Sequence, residues 1–380
     1  MDFLLPDEVE AFRLEVRQLI HDNYTVEEQQ RVHETGTYNC PALYRALGDR
    51  GLIERAIPGL GKGDPLELWA LFNEFEKADA PGDALSVIII VAGILSHVGS
   101  EEQKRRILPS LLAGRSIASL GYSEPDYGSD LASITTRAVR DGDSWIINGA
   151  KMWTTMAHEA DWLVLLTRTD PSVPRHKGLT TFILPMDTPG ISVQPVQTMG
   201  NERVNATFLD DVHVGPEHLL GQEHGGWNVL AVGLSFERGV VGDTNRGVSL
   251  LRRFHGWASV EGLTAQPAIR QEMARVAIDN EVSKLLTQRS AWLAAAGKLP
   301  TVEGSMTKLF ATKAYQHAVR RFHEAAGPEG LLSFAQDGAA ADGWLDYFSR
   351  HAPACTIRGG TTEINRNTVA ERHFGFPRAR

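Results

Sequence analysis

Four stretches of this chain carry residue types that could do chemistry together. Near the C-terminus, CTIRGGTTEINRN (355–367) crowds small residues and hydroxyls around one carboxylate, Glu363. Its Gly359-Gly360 pair gives a backbone that can approach a ligand closely. Thr361, Thr362, Glu363 and Asn365 could then hydrogen-bond to that ligand. GYSEPDYGSD (121–130) follows a strand-like segment and sets Ser123, Gly128 and Ser129 in a proline-containing turn region. Exposed amides and short hydroxyls of this kind suit a flat, acceptor-rich ring. INGAKMWTT (147–155) comes at hairpin distance and puts Trp153 beside Thr154 and Thr155, an aromatic plate with hydroxyls that can meet a ring's face and edge. SFERGVV (235–241) supplies Glu237 and Arg238, which out of context read as a solvated helix pair.

Two glycine-bearing segments carry less. GLGKGD (59–64) lacks the GxxxxGKS/T spacing of a phosphate loop and has no clear strand before it, so it reads as a flexible interhelical loop. HEAAGPEGLL (323–332), taken alone, reads as a helix C-cap.

The elements that must position these residues follow from composition and periodicity. At 380 residues the chain exceeds one ordinary core and implies two or three domains. With 42% hydrophobic and 22% charged residues it has a globular balance. A formal net charge of −9 without a long basic run argues against nucleic acid as a partner, so an anionic ligand must be met by a local set of donors. The two cysteines, Cys40 and Cys355, fit no metal spacing and read as reduced thiols of a cytoplasmic protein. MDFLLPDEVEAF lacks a basic n-region, so no signal peptide is indicated, and ALSVIIIVAGIL (84–95) is too short to span a bilayer and reads as a buried helix.

Residues 1–115 carry helical periodicity, with Val9, Phe12, Leu14, Val16 and Leu19-Ile20 close to a 3.6 period in the first segment and Ser100 with Gln103 as a capping pair. Residues 116–225 break into short β-branched and aromatic runs, which predicts a mostly antiparallel sheet with turns at Asp141-Gly142-Asp143 and Asn148-Gly149. From 226 to 380 long helical segments return and predict a bundle. The plan is α+β in three parts, without the alternation of a doubly wound nucleotide-binding fold. In KLFATKAYQHAVRRF (308–322), Leu309, Phe310, Ala314, Tyr315, Ala318, Val319 and Phe322 cover well over half the helix circumference, which points to a second partner and a tetramer built through the bundle.

The order and spacing of YSEPDYGSD, INGAKMWTT, LDDVHV…LLGQEHGGW and IRGGTTEINRNTVAERHFGFPR resemble the acyl-CoA dehydrogenase family over nearly the whole chain. The resemblance implies an N-terminal helical domain, a central β domain and a C-terminal four-helix bundle. It also implies FAD as cofactor and oxidation of an acyl-CoA thioester to the trans-2-enoyl-CoA, as in fatty-acid or steroid side-chain β-oxidation, with electrons passed to an electron-transfer flavoprotein. By position, Leu120 to Ser129, including Tyr122, Ser123 and Gly128, match the flavin-contacting loop, with Ser129 also near the thioester. Trp153, Thr154 and Thr155 match a Trp-x-Thr segment beside flavin N5, and Thr361, Thr362 and Glu363 match the C-terminal cofactor contact. Arg238 and Gly360 join Ser129 on the substrate side.

The reaction needs a carboxylate over the substrate α-carbon. Many members carry it in the terminal loop, where this chain has Gly359. A second branch carries it on a bundle helix in a motif like SFERGVV, which makes Glu237 the expected base, with its pKa raised by burial near a desolvated ligand. Two family elements are altered. WASVEGLTAQPAIRQ (257–271) has no RxxFG, and EAAGPEG (324–330) replaces QxFGGxG, which puts Glu324 near the expected pyrophosphate unless Arg320 or Arg321 offsets it. These features resemble a bacterial branch acting on bulky thioesters, some of whose members are heterotetramers with half the usual flavins. The expectation is therefore a dehydrogenase in a homotetramer or heterotetramer. The alternatives are a partner subunit with a silent or shared site, and a carrier-protein-linked dehydrogenase or nitroalkane-type oxidase on the same scaffold.

Overall fold

The computed structural model describes residues 4–240, 246–298, 300, 302–334 and 336–377, without the side chains of 238–240. Seven helices come first: α1 (Asp7–Asn23), α2 (Val26–Thr35), α3 (Pro41–Asp49), α4 (Leu52–Arg55), α5 (Pro65–Ala78), α6 (Asp83–Val98) and α7 (Glu101–Leu112). Their starts are legible. Asp64 accepts from Leu66 N at 2.8 Å ahead of α5, with Pro65 in the first turn where its missing N–H costs nothing. Ser100 and Gln103 form the reciprocal capping box of α7. Helix α6 is the apolar run anticipated above, and it is buried on every side from Ala84 to Leu95 apart from Ser86.

Eight strands follow: β1 (Ala118–Gly121), β2 (Arg137–Asp141), β3 (Ser144–Lys151), β4 (Trp162–Arg168), β5 (Leu179–Pro185), β6 (Ile191–Gln197), β7 (Arg203–Val214) and β8 (Leu219–Leu220). Their order is β6-β7-β3-β2-β4-β5-β8, with β1 attached to β4. The pairing is antiparallel except that β1 runs parallel to β4 and β2 touches β4 in parallel at Arg137. The Asp141-Gly142-Asp143 turn joins β2 to β3, with Gly142 at φ 60°. Asn148-Gly149 is not a turn. It lies inside β3, where the register to β7 shifts between Ile147 and Gly149. Asn148 exchanges hydrogen bonds with Asp211, and a Cβ on Gly149 would stand 2.6 Å from Thr136 Oγ1, so the pair makes a bulge rather than a hairpin.

The remaining helices are α8 (Gly226–Val240), α9 (Gly247–Val260), α10 (Pro267–Ala295), α11 (Glu303–Ala326), α12 (Trp344–Cys355) and α13 (Thr362–Arg372). Helix α11 buries Thr307, Lys308, Ala311, Thr312, Tyr315, Ala318, Val319 and Phe322, and Phe322 stacks on Phe254 of α9 at 3.9 Å between centroids. Leu309, Phe310 and Ala314 remain partly exposed in the single chain. One apolar core joins both helical regions, and a separate cluster around Trp145 and Phe182 lies within the sheet. Among the described residues no helix is long and apolar enough to cross a membrane, and no group of three or more acidic, histidine or cysteine side chains could hold a metal.

Candidate active site

The parallel strand β1 ends at Gly121 and delivers the chain into the 121–130 loop. Glu124 anchors that loop from below. It is 3% exposed and accepts from Thr135 N at 2.7 Å, Thr135 Oγ1 at 2.8 Å, Thr136 N at 2.8 Å and Lys151 Nζ at 2.9 Å. Burial opposes its charge. The Lys151 ammonium and the threonine hydrogen bonds outweigh that penalty and hold the carboxyl down to about 2. Lys151, at the end of β3, is itself fully buried. Its pKa is drawn down to about 8 because the cost of burial exceeds what Glu124 returns. Its ammonium also donates to Tyr122 O at 3.2 Å, so one ion pair ties the loop to β3.

Just beyond β3 the chain is clamped in an unusual shape. Met152 N donates to Ser123 O, and Thr154 N donates to Asn205 O, while Asn205 Nδ2 donates back to Thr154 O, each at 2.9 Å. Ser119 Oγ donates to Thr155 O at 2.8 Å. Between these clamps Trp153 takes φ 63°, a left-handed conformation that costs a bulky side chain on the order of 1–3 kcal/mol. The result is an indole 56% exposed, an orphaned buried Oγ1 on Thr154, and Thr155 turned toward a cavity.

The other wall comes from α8 and the terminal loop. Glycine at 93 of α6 lets α8 approach, since a Cβ there would stand 2.6 Å from the Phe236 ring. That approach sets Glu237, the next residue, against the Gly359-Gly360 turn. Gly359 and Gly360 have φ 63° and 88°. A Cβ on Gly359 would lie 3.4 Å from Glu237 Oε1 and 3.0 Å from Lys308 Nζ. The cavity between the walls, roughly 200 Å³, is lined by Leu120, Thr155, Glu237, Arg246, Lys308 and Gly359, among others.

Several supports of this site were missed by sequence reasoning. Lys308, nearly buried on α11, donates to the Arg358 carbonyl and lines the cavity. Arg358 pairs with Asp83 at 3.5 Å and Glu202 at 3.7 Å, and Glu202 pairs with His351 at 3.1 Å. Burial and Arg246 work against a proton on His351, but Cys355 and Glu202 outweigh them and push it up to about 9. Arg246 Nη1 donates to Tyr347 Oη at 2.8 Å and faces the cavity. Lys151 and Glu124 stand inside quoted motifs, and their spacing carried no sign that they pair. Arg246 and Glu202 lie outside every quoted stretch, and Lys308, which opens the quoted 308–322 stretch, carried no signal of a part in the site.

The anticipated residues divide. Leu120, Thr155 and Glu237 share the cavity with Gly359. Gly128 and Ser129 are exposed on the loop, with Tyr122 and Ser123 half-buried. Thr361 caps α13 by accepting from Ile364 N at 3.2 Å, with Thr362 and Glu363 in its first turn. Asn365 is buried and donates to Gly360 O at 2.9 Å and Thr361 O at 3.0 Å, so it holds the turn's shape. The Arg238 side chain lies outside the described residues. Glu324 is met by Arg320 Nε at 2.9 Å, while Arg321 pairs with Glu272 at 3.2 Å.

Three family models cover the chain in order: the acyl-CoA dehydrogenase N-terminal domain over 6–115, the middle domain over 119–212 and the C-terminal domain over 224–374. The chain belongs to the acyl-CoA dehydrogenase family, whose members are flavin-dependent oxidoreductases that use FAD. It is 35% identical over 348 residues to the acyl-CoA dehydrogenase FadE29 of Mycobacterium tuberculosis, covering 89% of this chain and 88% of the relative. Among solved structures it resembles the Tcur3481-Tcur3483 steroid ACAD at TM-score 0.91 and 33% identity, covering 100% of both chains. The ChsE4-ChsE5 complex from Mycobacterium tuberculosis matches at TM-score 0.87 and 29% identity, with 100% of each chain covered. The residues present fit the cofactor. The strained, exposed Trp153 indole and the unpartnered Thr154 hydroxyl stand next in chain to Thr155, which lines the same cavity as Glu237.

Proposed function

We propose that this chain dehydrogenates an acyl-CoA thioester with a branched or ring-bearing acyl group to the 2-enoyl-CoA, with Glu237 as the base. One observation carries the reading. The Glu237 carboxylate oxygen lies 3.4 Å from where a side chain at 359 would begin, so helix α8 supplies a carboxylate to the place the terminal loop leaves empty. Glu237 takes the α-proton from the cavity it shares with Leu120, Thr155 and Gly359. FAD, when bound, supplies the acceptor for the hydride from the β-carbon. Leu120, Tyr122, Ser123, Gly128, Ser129, Trp153, Thr154 and Thr155 would hold the flavin ring, and Thr361, Thr362 and Glu363 the rest of the cofactor. Ser129, Arg238 and Gly360 would contact the thioester arm. An electron-transfer flavoprotein is the proposed reoxidant. The three structural parts correspond on this reading to a helical domain over 1–115, a flavin-contacting domain over 116–225 and a catalytic and oligomerising bundle over 226–380.

The test is a panel of straight, branched and ring-bearing acyl-CoA thioesters scored by bleaching of the flavin absorbance. Bleaching with branched or ring-bearing members supports the reading, and no response to any thioester defeats it. A second reading is favoured by the paired names of two similar structures, Tcur3481-Tcur3483 and ChsE4-ChsE5, together with the altered EAAGPEG segment. In that reading the chain is one half of a heterotetramer with a shared or silent flavin site. Protein that is colourless alone and gains flavin only with a second, related chain favours it.

A further inference from the structure

A second cavity of roughly 220 Å³ opens beside the first, between α5 on one side and α10 and α11 on the other. The two share Phe72, Glu76 and Lys308 as lining residues, so the second is a lobe adjoining the first. Together they reach the size of an ordinary small-molecule site. The lobe's body is apolar, built from Pro58, Pro65, Leu68, Trp69, Phe236 and Ala291. The Trp69 ring N–H already donates to Thr287 Oγ1 at 3.1 Å, and the Thr287 hydroxyl donates in turn to Lys284 O at 2.8 Å. These groups therefore ask nothing of an occupant.

Asn73 and Thr307 differ. They line the lobe from opposite walls, α5 and α11, at 6% and 5% exposure. Asn73 Oδ1 and Thr307 Oγ1 are each buried without a hydrogen-bond partner. Buried polar atoms are almost always paired, so two orphans on facing walls of one lobe call for a partner that arrives with the ligand. An aliphatic tail would leave both unpaired.

We propose that this lobe receives the far end of the acyl group, and that this end is an apolar ring or branch bearing a hydroxyl or keto oxygen held between Asn73 and Thr307. The inference rests on the dehydrogenase reading above and narrows its substrate class. An amide and a hydroxyl can each donate and accept, so the pair serves either oxygen without a charged side chain. Removal of that oxygen leaves the walls unsatisfied, which is how a site rejects an analogue lacking one polar group.

The experiment uses the flavin-loaded enzyme, with its partner chain if one is needed, and cycloalkyl-alkanoyl-CoA thioesters of graded length. Each length is tested with and without a ring ketone or hydroxyl. At the length that fills the lobe, the oxygenated member should show kcat/KM about tenfold or more above its deoxy counterpart. Asn73→Leu and Thr307→Val should each bring that ratio toward one, while Thr307→Ser keeps most of it. If Asn73→Leu does not fold, Thr307→Val against Thr307→Ser makes the same comparison. Equal kcat/KM at every length, as expected if ordered water alone satisfies these atoms, overturns the proposal, and so does a preference that survives the variants. Failure of every thioester to bleach the flavin is a different result, because it removes the dehydrogenase reading itself.

Discussion

At the scale of single residues, the site turns on one exchange of position between Glu237 and Gly359. Glu237→Gln should fold, keep its flavin and lose reductive bleaching by about 10²–10⁴-fold, because an amide cannot take the α-proton. Stopped-flow absorbance of the loaded variant checks this, and near-native turnover would remove Glu237 from the role. The reverse exchange, Gly359→Glu in a Glu237→Gly background, should recover little activity. Arg358, the neighbouring cation in sequence, already serves Asp83 and Glu202. The nearer cation is Lys308, whose Nζ stands 3.0 Å from the position of the new Cβ. A glutamate there would pair with Lys308 and lose basicity, and φ 63° adds strain. Recovery of a large fraction of wild-type kcat would show the two positions to be interchangeable.

At the scale of elements, two buried networks set the walls of the cavity. The first ties the 121–130 loop to β3 through Glu124 and Lys151. Glu124→Gln leaves an ammonium buried without its counter-charge, and such a loss typically costs about 3–5 kcal/mol. The expected result is a lower unfolding midpoint with loss of flavin, read by denaturant titration and by the absorbance ratio of purified protein. An unchanged midpoint would mean that the pair contributes nothing. The second network holds the terminal turn through His351, Glu202 and Arg358. His351 is raised to about 9 from an ordinary 6.5, so the folded state binds this proton more tightly than the unfolded chain does. Its contribution to stability is fully present below pH 6.5 and disappears as pH rises through 9. Unfolding midpoints should therefore fall across that window, with a shallower slope in His351→Gln. Equal slopes in the two proteins would discount the histidine.

At the scale of the whole molecule, the single chain leaves apolar surface that a second chain would cover. Phe374, Phe376, Ile357 and Leu331 are each more than 60% exposed, at 65%, 63%, 64% and 68%. Leu309, Phe310 and Ala314 on α11 are only partly buried. Patches of this kind on a helical bundle mark an interface. The protein should behave as a tetramer in light scattering, as a dimer of dimers through the bundle. A homomer should hold four flavins per tetramer, with Arg320 offsetting Glu324, and a heteromer two, with the partner completing the pyrophosphate contact. Flavin absorbance against protein mass separates the two, and a flavin-replete monomer would defeat both.

What the sequence determined by itself was local and periodic. The run of α6, the capping box of Ser100 and Gln103, the Asp141-Gly142-Asp143 hairpin and the α-β-α plan all follow from side-chain period and turn chemistry, which act over a few residues. Contiguous motifs likewise marked out the 121–130 loop and the Trp153 segment. Tertiary structure decided whatever depends on residues far apart in the chain. Asn148-Gly149 became a bulge because Thr136, just ahead of β2, and Asp211, on β7, constrain it. The second lobe exists because α5 and α11, some 230 positions apart, border one cavity, and Asn73 and Thr307 signal nothing until the fold brings both helices to it. Charges such as Lys308 and Lys151 look like ordinary surface lysines in sequence, and only burial against a specific partner gives them their part in the site.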